Sequence, residues 1–243
     1  MGQKNPRQSD KSQKSNPGSV PVTPDKKLGA MLVTQSDIPA HMEEDYHAWY
    51  DQEHIPERLV LPGFLGASRY EVIGTGVRFF ARYHLEDLST LEQSVYLQMI
   101  KEPSEWTNRI AGALTTMTRY VTRVDSIHSG TSPPREPESC PYLCYVTYSV
   151  PDEQQSLFDS WYIEEHVSQL FTDKDWWRCI HLKVVSGKPD PLTNIIIHEV
   201  ATLDSIQSSE LSNSREYRSS EDTQRKPWLE TEVATTYRKI VRF

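Results

Sequence analysis

His47, Asp51 and His54 are spaced four and three residues apart, so on a helix they share one face. An imidazole titrates near neutrality, which makes His54 the first candidate for a general acid or base. Asp51 is placed to hydrogen-bond it, orient the ring and raise its basicity. The same three side chains could instead offer N and O donors to a divalent metal. A purely structural role also fits, since the carbonyl end of a helix favours a histidine. A second segment bears on these readings: Trp49-Tyr50-Asp51-Gln52-Glu53-His54 returns 112 residues later as Trp161-Tyr162-Ile163-Glu164-Glu165-His166. His166 repeats His54, but Asp159 replaces His47 and Ile163 replaces Asp51. A metal site could therefore exist in the first copy only, and none is expected.

Further candidates lie on apolar runs outside this segment. Arg69 and Tyr70 are neighbours on one strand-like run, and Tyr83 and His84 on another. Because strand side chains alternate in direction, one member of each pair can face a given pocket and the other cannot. Trp49 and Tyr50 on the helix could contact a ligand, and Trp106 and Trp228 could form an apolar wall, although core packing accounts for all four as well. Tyr50, Tyr83 or Arg69 could supply the donor that holds a developing oxyanion. Glu53 and Glu165 point about 100° away from the histidines and are expected to pair with Arg58 or across the two copies.

These residues need a scaffold, and the pattern supplies one twice. Ala30 to Thr34 reads as a strand. Apolar positions at three- and four-residue steps predict a helix from Ala40 to Arg58. Phe64 to Ile73 and Val77 to Leu85 read as a hairpin turning at Gly74-Thr75-Gly76. A helix from Leu88 to Ile100, a short one after Pro103 and a strand from Thr115 to Val124 complete the unit. The second unit repeats the order: strand Tyr142 to Val150, helix Asp152 to Phe171, strands Arg178 to Val185 and Asn194 to Ala201, a polar, weakly helical region from Ser205 to Lys226, and a strand from Val233 to Phe243. The expected fold class is α+β, with two ferredoxin-like β-α-β-β-α-β units fused in one chain and packed sheet to sheet as a pseudo-dimeric barrel.

The expected boundaries are a disordered polar tail over 1–27, a first unit over 28–128, a Pro-rich linker over 129–139 and a second unit over 140–243. The tail has almost no large apolar residue to offset the entropy of ordering it. It also carries six Lys or Arg against two Asp, so the rest of the chain is more acidic than the overall net charge of −8. That charge argues against nucleic acid as a partner. No apolar run approaches the roughly 20 residues needed to span a bilayer, and the N-terminus lacks a signal-peptide pattern. No membrane partner and a cytoplasmic location are therefore expected. Three cysteines, Cys140, Cys144 and Cys179, read as free thiols.

The run His47 to Arg58, with Leu61-Pro62-Gly63-Phe64-Leu65 and Ser68-Arg69-Tyr70, resembles the EthD-like branch of the dimeric α/β-barrel superfamily. The resemblance covers about 90 residues of the first copy. It implies a ligand pocket inside each unit, between the sheet and its helices. It does not choose among the superfamily's monooxygenases, cyclases, decarboxylases, dehydratases, isomerases and haem enzymes. No Gly-rich phosphate loop, Gly-x-Ser-x-Gly elbow or Cys-x-x-Cys-His haem attachment occurs, and no cofactor is expected. The leading expectation is a cofactor-free lyase, isomerase or cyclase of natural-product type, acting on a small hydrophobic oxygenated substrate in secondary metabolism. Its catalytic residues would be His54, Asp51 and, in the second pocket, His166. The alternatives are a non-catalytic small-molecule-binding pseudo-dimer and a cofactor-free monooxygenase. Assembly of two chains into a further homodimer stays open.

Overall fold

The computed structural model describes residues 28–131, 139–189, 192–207 and 226–240. The expected polar tail lies outside the described residues. So do most of the Pro-rich linker, residues 208–225 of the polar region and the end of the last predicted strand.

Eight antiparallel strands form a closed barrel: β1 (Ala30–Asp37), β2 (Phe64–Ile73), β3 (Phe79–Leu85), β4 (Thr116–Ser129), β5 (Tyr142–Tyr148), β6 (Trp176–Lys188), β7 (Asn194–Val200) and β8 (Val233–Lys239). Around the barrel the order is β1-β3-β2-β8-β5-β7-β6-β4. Each half thus has the same internal order, β4-β1-β3-β2 and β8-β5-β7-β6. The halves join along two edges, where Tyr70–Ile73 of β2 pair with β8 and Arg119–Ser129 of β4 pair with β6. Closure leaves no free strand edge. This is the expected α+β barrel, and its sheets meet edge to edge as well as face to face.

Helices cover the outer faces. In the first half, α1 (Glu43–Trp49) continues through a π-helical turn (Tyr50–His54) into α2 (Ile55–Leu59), and α3 (Ser94–Lys101) and α4 (Glu105–Ala113) follow. In the second half, α5 (Gln155–Trp161) continues through a π-helical turn (Tyr162–Val167) into α6 (Ser168–Leu170), and α7 (Leu203–Gln207) is short. No helix among the described residues is long and apolar enough to cross a membrane. The predicted helix from Leu88 to Ile100 is divided. Its first part is a 3-10 turn, Leu88–Glu92, capped by Asp87, whose side chain accepts from the Ser89 amide.

Every strand between the barrel interior and a helical layer has two buried faces, which is why β3 and β7 are buried at every position. It also explains the unbroken apolar run Ile195-Ile196-Ile197, where a half-exposed strand would alternate. Inward positions, including Met31, Val33, Tyr70, Phe80, Leu143, Ile180 and Tyr237, form one core inside the barrel. Outward positions form two more, one under the helices of each half. At the β2–β3 turn, Gly74 and Gly76 take positive φ angles of 88° and 142°, a conformation that disfavours L side chains.

The barrel interior also holds charge. Arg82 of β3 lies 2.6 Å from Glu199 of β7, and Arg178 of β6 lies 3.1 Å from the same carboxylate. Arg82 and Glu199 are fully buried. The Arg82 guanidinium also donates to Ser68 Oγ and to the Tyr70 hydroxyl. One carboxylate therefore ties the two halves together from inside. Removing it leaves two buried guanidiniums facing each other without a counter-charge, so Glu199→Ala should lose about 3–5 kcal/mol of stability in chemical denaturation. A loss below about 1 kcal/mol would show that the triad does not hold the halves together.

Candidate active site

The helix-covered side of the first half gathers most of the residues singled out by spacing. Alternation along β2 turns Arg69 outward under the helices and Tyr70 into the barrel, where Arg82 binds its hydroxyl. Along β3, Tyr83 faces the helices, while Arg82 and His84 point the other way. Tyr70 and His84 are therefore not part of the helix-side site, for a geometric reason: each is next in sequence to the residue that is.

Arg69 is the hub of this site. Its guanidinium is 1% exposed, sits 2.8 Å from His47 Nδ1 and donates to Asp51 Oδ1 at 3.2 Å. It lies over the Tyr50 ring at 3.9 Å and the Tyr46 ring at 5.2 Å. The metal reading of His47, Asp51 and His54 thus meets a guanidinium already bound to two of the three donors. The proposed Asp51–His54 hydrogen bond is replaced as well, because Asp51 is engaged by Arg69 instead.

His54 is set by the π turn. An α-helix stacks residue i on i+4, whereas a wider π turn brings i and i+5 together. The His54 ring accordingly lies 3.9 Å from that of Trp49, with Tyr50 at 4.9 Å and Tyr83 at 6.2 Å. Trp49 is held in turn, its indole N–H donating to Thr107 Oγ1 on α4 at 2.9 Å. The Thr107 hydroxyl donates to Glu53, which accepts from Ser104 as well. Glu53 therefore ties the π turn to α4 rather than to Arg58 or the other half. Trp106 acts similarly at the periphery, donating to Asp45 and joining α4 to α1.

The His54 environment disfavours positive charge. Burial, then the guanidiniums of Arg58 and Arg69, hold its pKa well below 6.5, so the imidazole is neutral at pH 7. Tyr83 is shifted the other way by burial and keeps its proton. His54 Nδ1 and the Tyr83 hydroxyl are both buried without a hydrogen-bond partner among the described residues. Orphaned buried atoms are uncommon in protein interiors, and a catalytic or ligand-binding role is one explanation for them. Arg58, whose Nη1 donates to the His54 carbonyl and to Glu57, adds a second cation beside the ring. Only its place one turn after His54 could have pointed to it in the sequence.

The second half is built differently at the matching positions. His166 packs against Trp161 at 5.2 Å and His198 at 5.4 Å. His198 lies 3.2 Å from Cys179 Sγ, which accepts from the Trp176 indole. Burial pushes the Cys179 thiol far up, so it remains protonated. Phe158, Tyr162 and Trp228 fill the space between sheet and helices and are completely buried. At the place of Arg69 stands His181, beside Asp125 at 3.4 Å and Asn194 at 2.8 Å. Asp125, Asp159 and His181 come close enough together to bind a cation, but Lys183 Nζ is already 3.2 Å from Asp125 and 2.9 Å from Asp159. His181 and then Lys183 hold the Asp125 carboxyl down to about 2.

No protein-family model and no curated protein sequence matches the chain. Solved structures share its fold at low identity. An anthrone oxidase-like protein superposes with a TM-score of 0.67 at 9% identity, covering 89% of this chain and 92% of its own. A protein of Fusobacterium nucleatum provisionally assigned as a monooxygenase gives 0.58 at 11%, covering 87% and 92%. One provisionally assigned as a chlorite dismutase gives 0.53 at 12%, covering 88% and 95%. At this identity the likeness establishes the barrel fold.

The electrostatics of the first site can be read directly by NMR. The His54 ring protons should stay near their neutral positions down to about pH 6, where an exposed histidine is already mostly protonated. Arg69→Met removes one of the opposing charges and should move the midpoint up toward 6.5. A wild-type midpoint at or above 6.5 would mean the ring is solvated.

Proposed function

We propose that the first half carries the active site of a cofactor-free oxygenase. Its substrate would be a hydrophobic aromatic ketone or phenol with an acidic C–H bond. The observation that carries this reading is the pair of buried, unpartnered polar atoms, His54 Nδ1 and the Tyr83 hydroxyl, on rings 6.2 Å apart beside the buried Arg69 cation. A neutral imidazole in an aromatic cage can take a proton from carbon. A protonated tyrosine can donate to the enolate oxygen that forms, and the guanidinium field favours that negative charge. Asp51 and His47 position Arg69 and do not meet the substrate. The two units proposed from the sequence, 28–128 and 140–243, would be copies of which the first is catalytic. His166 then serves packing in the second.

The enolate is the electron-rich species that dioxygen needs. His54 takes a proton from the substrate CH₂ group, and the carbanionic carbon forms a bond to O₂. The proton then returns to the distal oxygen to give a hydroperoxide. Loss of water yields a ketone, so one O₂ converts CH₂ to C=O plus H₂O. The fold neighbours fit this reading better than they fit isomerisation or lyase chemistry, since an anthrone oxidase-like protein and proteins provisionally assigned as monooxygenases stand among them. A tricyclic anthrone is therefore the first substrate to test.

An oxygen electrode with anthrone should record one O₂ consumed per substrate. His54→Gln should lower kcat/KM by about 10²–10⁴-fold while thermal stability is kept. Undiminished turnover in that variant would remove His54 from the chemistry. Substrate consumption without oxygen uptake would assign the site to proton transfer alone. The pH profile gives a second check with a definite sign. His54 acts as a base only when neutral, and its pKa is depressed. The kcat/KM value should therefore stay level as pH falls through 6.5 and decline only at lower pH.

A further inference from the structure

Small-barrel interiors are usually filled by side chains, and most of this one is. One end is not. Near the β2–β3 and β6–β7 turns, the inward positions hold Gln35, Thr118, Thr147 and Thr235 in place of the large apolar residues found deeper inside. They leave a cavity of about 340 Å³. That is within the range of small-ligand sites, roughly 300–1,000 Å³. It lies on the opposite face of the sheet from His54, and both halves line it.

Most of the polar groups around this cavity are bonded to other groups of the protein. Gln35 donates to the Tyr237 hydroxyl at 2.7 Å and accepts from Thr118 at 3.1 Å. The Tyr120 hydroxyl donates to the Pro189 carbonyl, and Thr147 Oγ1 donates to the Val233 carbonyl at 3.4 Å. The Tyr145 hydroxyl has no partner among the described residues, although its side chain is 3% exposed. Tyr145 is itself one of the residues that line the cavity. The described lining residues carry no charge, and their surface is mostly apolar.

We propose that this end of the barrel is a second small-molecule site, distinct from the candidate site around His54. Its ligand is an uncharged, largely apolar compound with one acceptor oxygen, a ketone or an ether, that takes the hydrogen bond of Tyr145. A carboxylate is excluded, because no cation faces it among the described lining residues. Both halves supply contacts, so the site exists only in the closed barrel.

The test follows the methyl resonances of Val77 and Leu192, which line the cavity, during titration of the full chain with 2-acetylnaphthalene, 2-ethylnaphthalene and 2-naphthoate. The ketone should shift these methyls saturably, with about five- to tenfold higher affinity than the hydrocarbon. The carboxylate should not shift them. Tyr145→Phe removes a hydroxyl that bonds no group among the described residues, so the variant should fold normally, bind the hydrocarbon unchanged and lose the preference for the ketone. Thr235→Leu, which fills the cavity, should weaken both neutral ligands, and His54→Gln should weaken neither. The proposal is overturned if the ketone leaves the methyls unmoved at millimolar concentration, if the preference survives Tyr145→Phe, or if His54→Gln weakens the response.

Discussion

The organising constraint is that the strands lying under the helices, β3 and β7 above all, have two buried faces. Closing eight strands into a barrel and covering them with helices leaves little choice for an inward or outward side chain, and a shift of one residue exchanges two interiors. The interiors differ in kind. The barrel holds aliphatic residues mixed with Tyr70, Phe80, Tyr120, Tyr145 and Tyr237, and the Arg82–Glu199–Arg178 triad. The helix side of the first half holds an aromatic cage around His54 and Arg69. Neighbours in sequence therefore have unrelated jobs: Arg69 organises the candidate active site, and Tyr70 helps to anchor a cross-barrel ion pair.

The strands were legible from their apolar runs, and the pairing of the halves from the repeated Trp-Tyr…Glu-His segment. So was the rule that Arg69 and Tyr70, or Tyr83 and His84, cannot share a pocket. Which member faces the pocket was not legible, because both faces of each strand are buried and apolar periodicity loses its contrast. The helix register was also misjudged around His54. A 3.6-residue period groups His54 with His47 and Asp51, whereas the π turn sets it on Trp49. Pro56, which lacks an amide proton, suggests itself as the cause. The second half has Ser168 there and makes the same turn, so proline is not required.

Comparing the halves shows where chemistry can reside. Both keep the Trp-Tyr pair, the π turn and the histidine, and these account for helix–sheet packing in each. The first half alone places an arginine under the helix with a carboxylate and an imidazole to hold it. The second puts His181 there and satisfies Asp125 and Asp159 with Lys183. Buried aromatic residues pack the helix-side space of both halves. Among the described residues, buried polar atoms without partners occur in both halves, at His54 Nδ1 and the Tyr83 hydroxyl in the first and at the Tyr162 hydroxyl and the Trp228 indole nitrogen in the second, so the buried Arg69 cation beside the imidazole is what sets the first half apart.

The central claim is that neutral His54 removes a proton from carbon before oxygen reacts. Anaerobic incubation with anthrone in D₂O isolates that step, since without O₂ the enolate can only be reprotonated. Enzyme-catalysed deuterium exchange at the substrate methylene, lost in His54→Gln, is the expected result. Exchange no faster than in buffer, under conditions where the aerobic enzyme turns the substrate over, would contradict it.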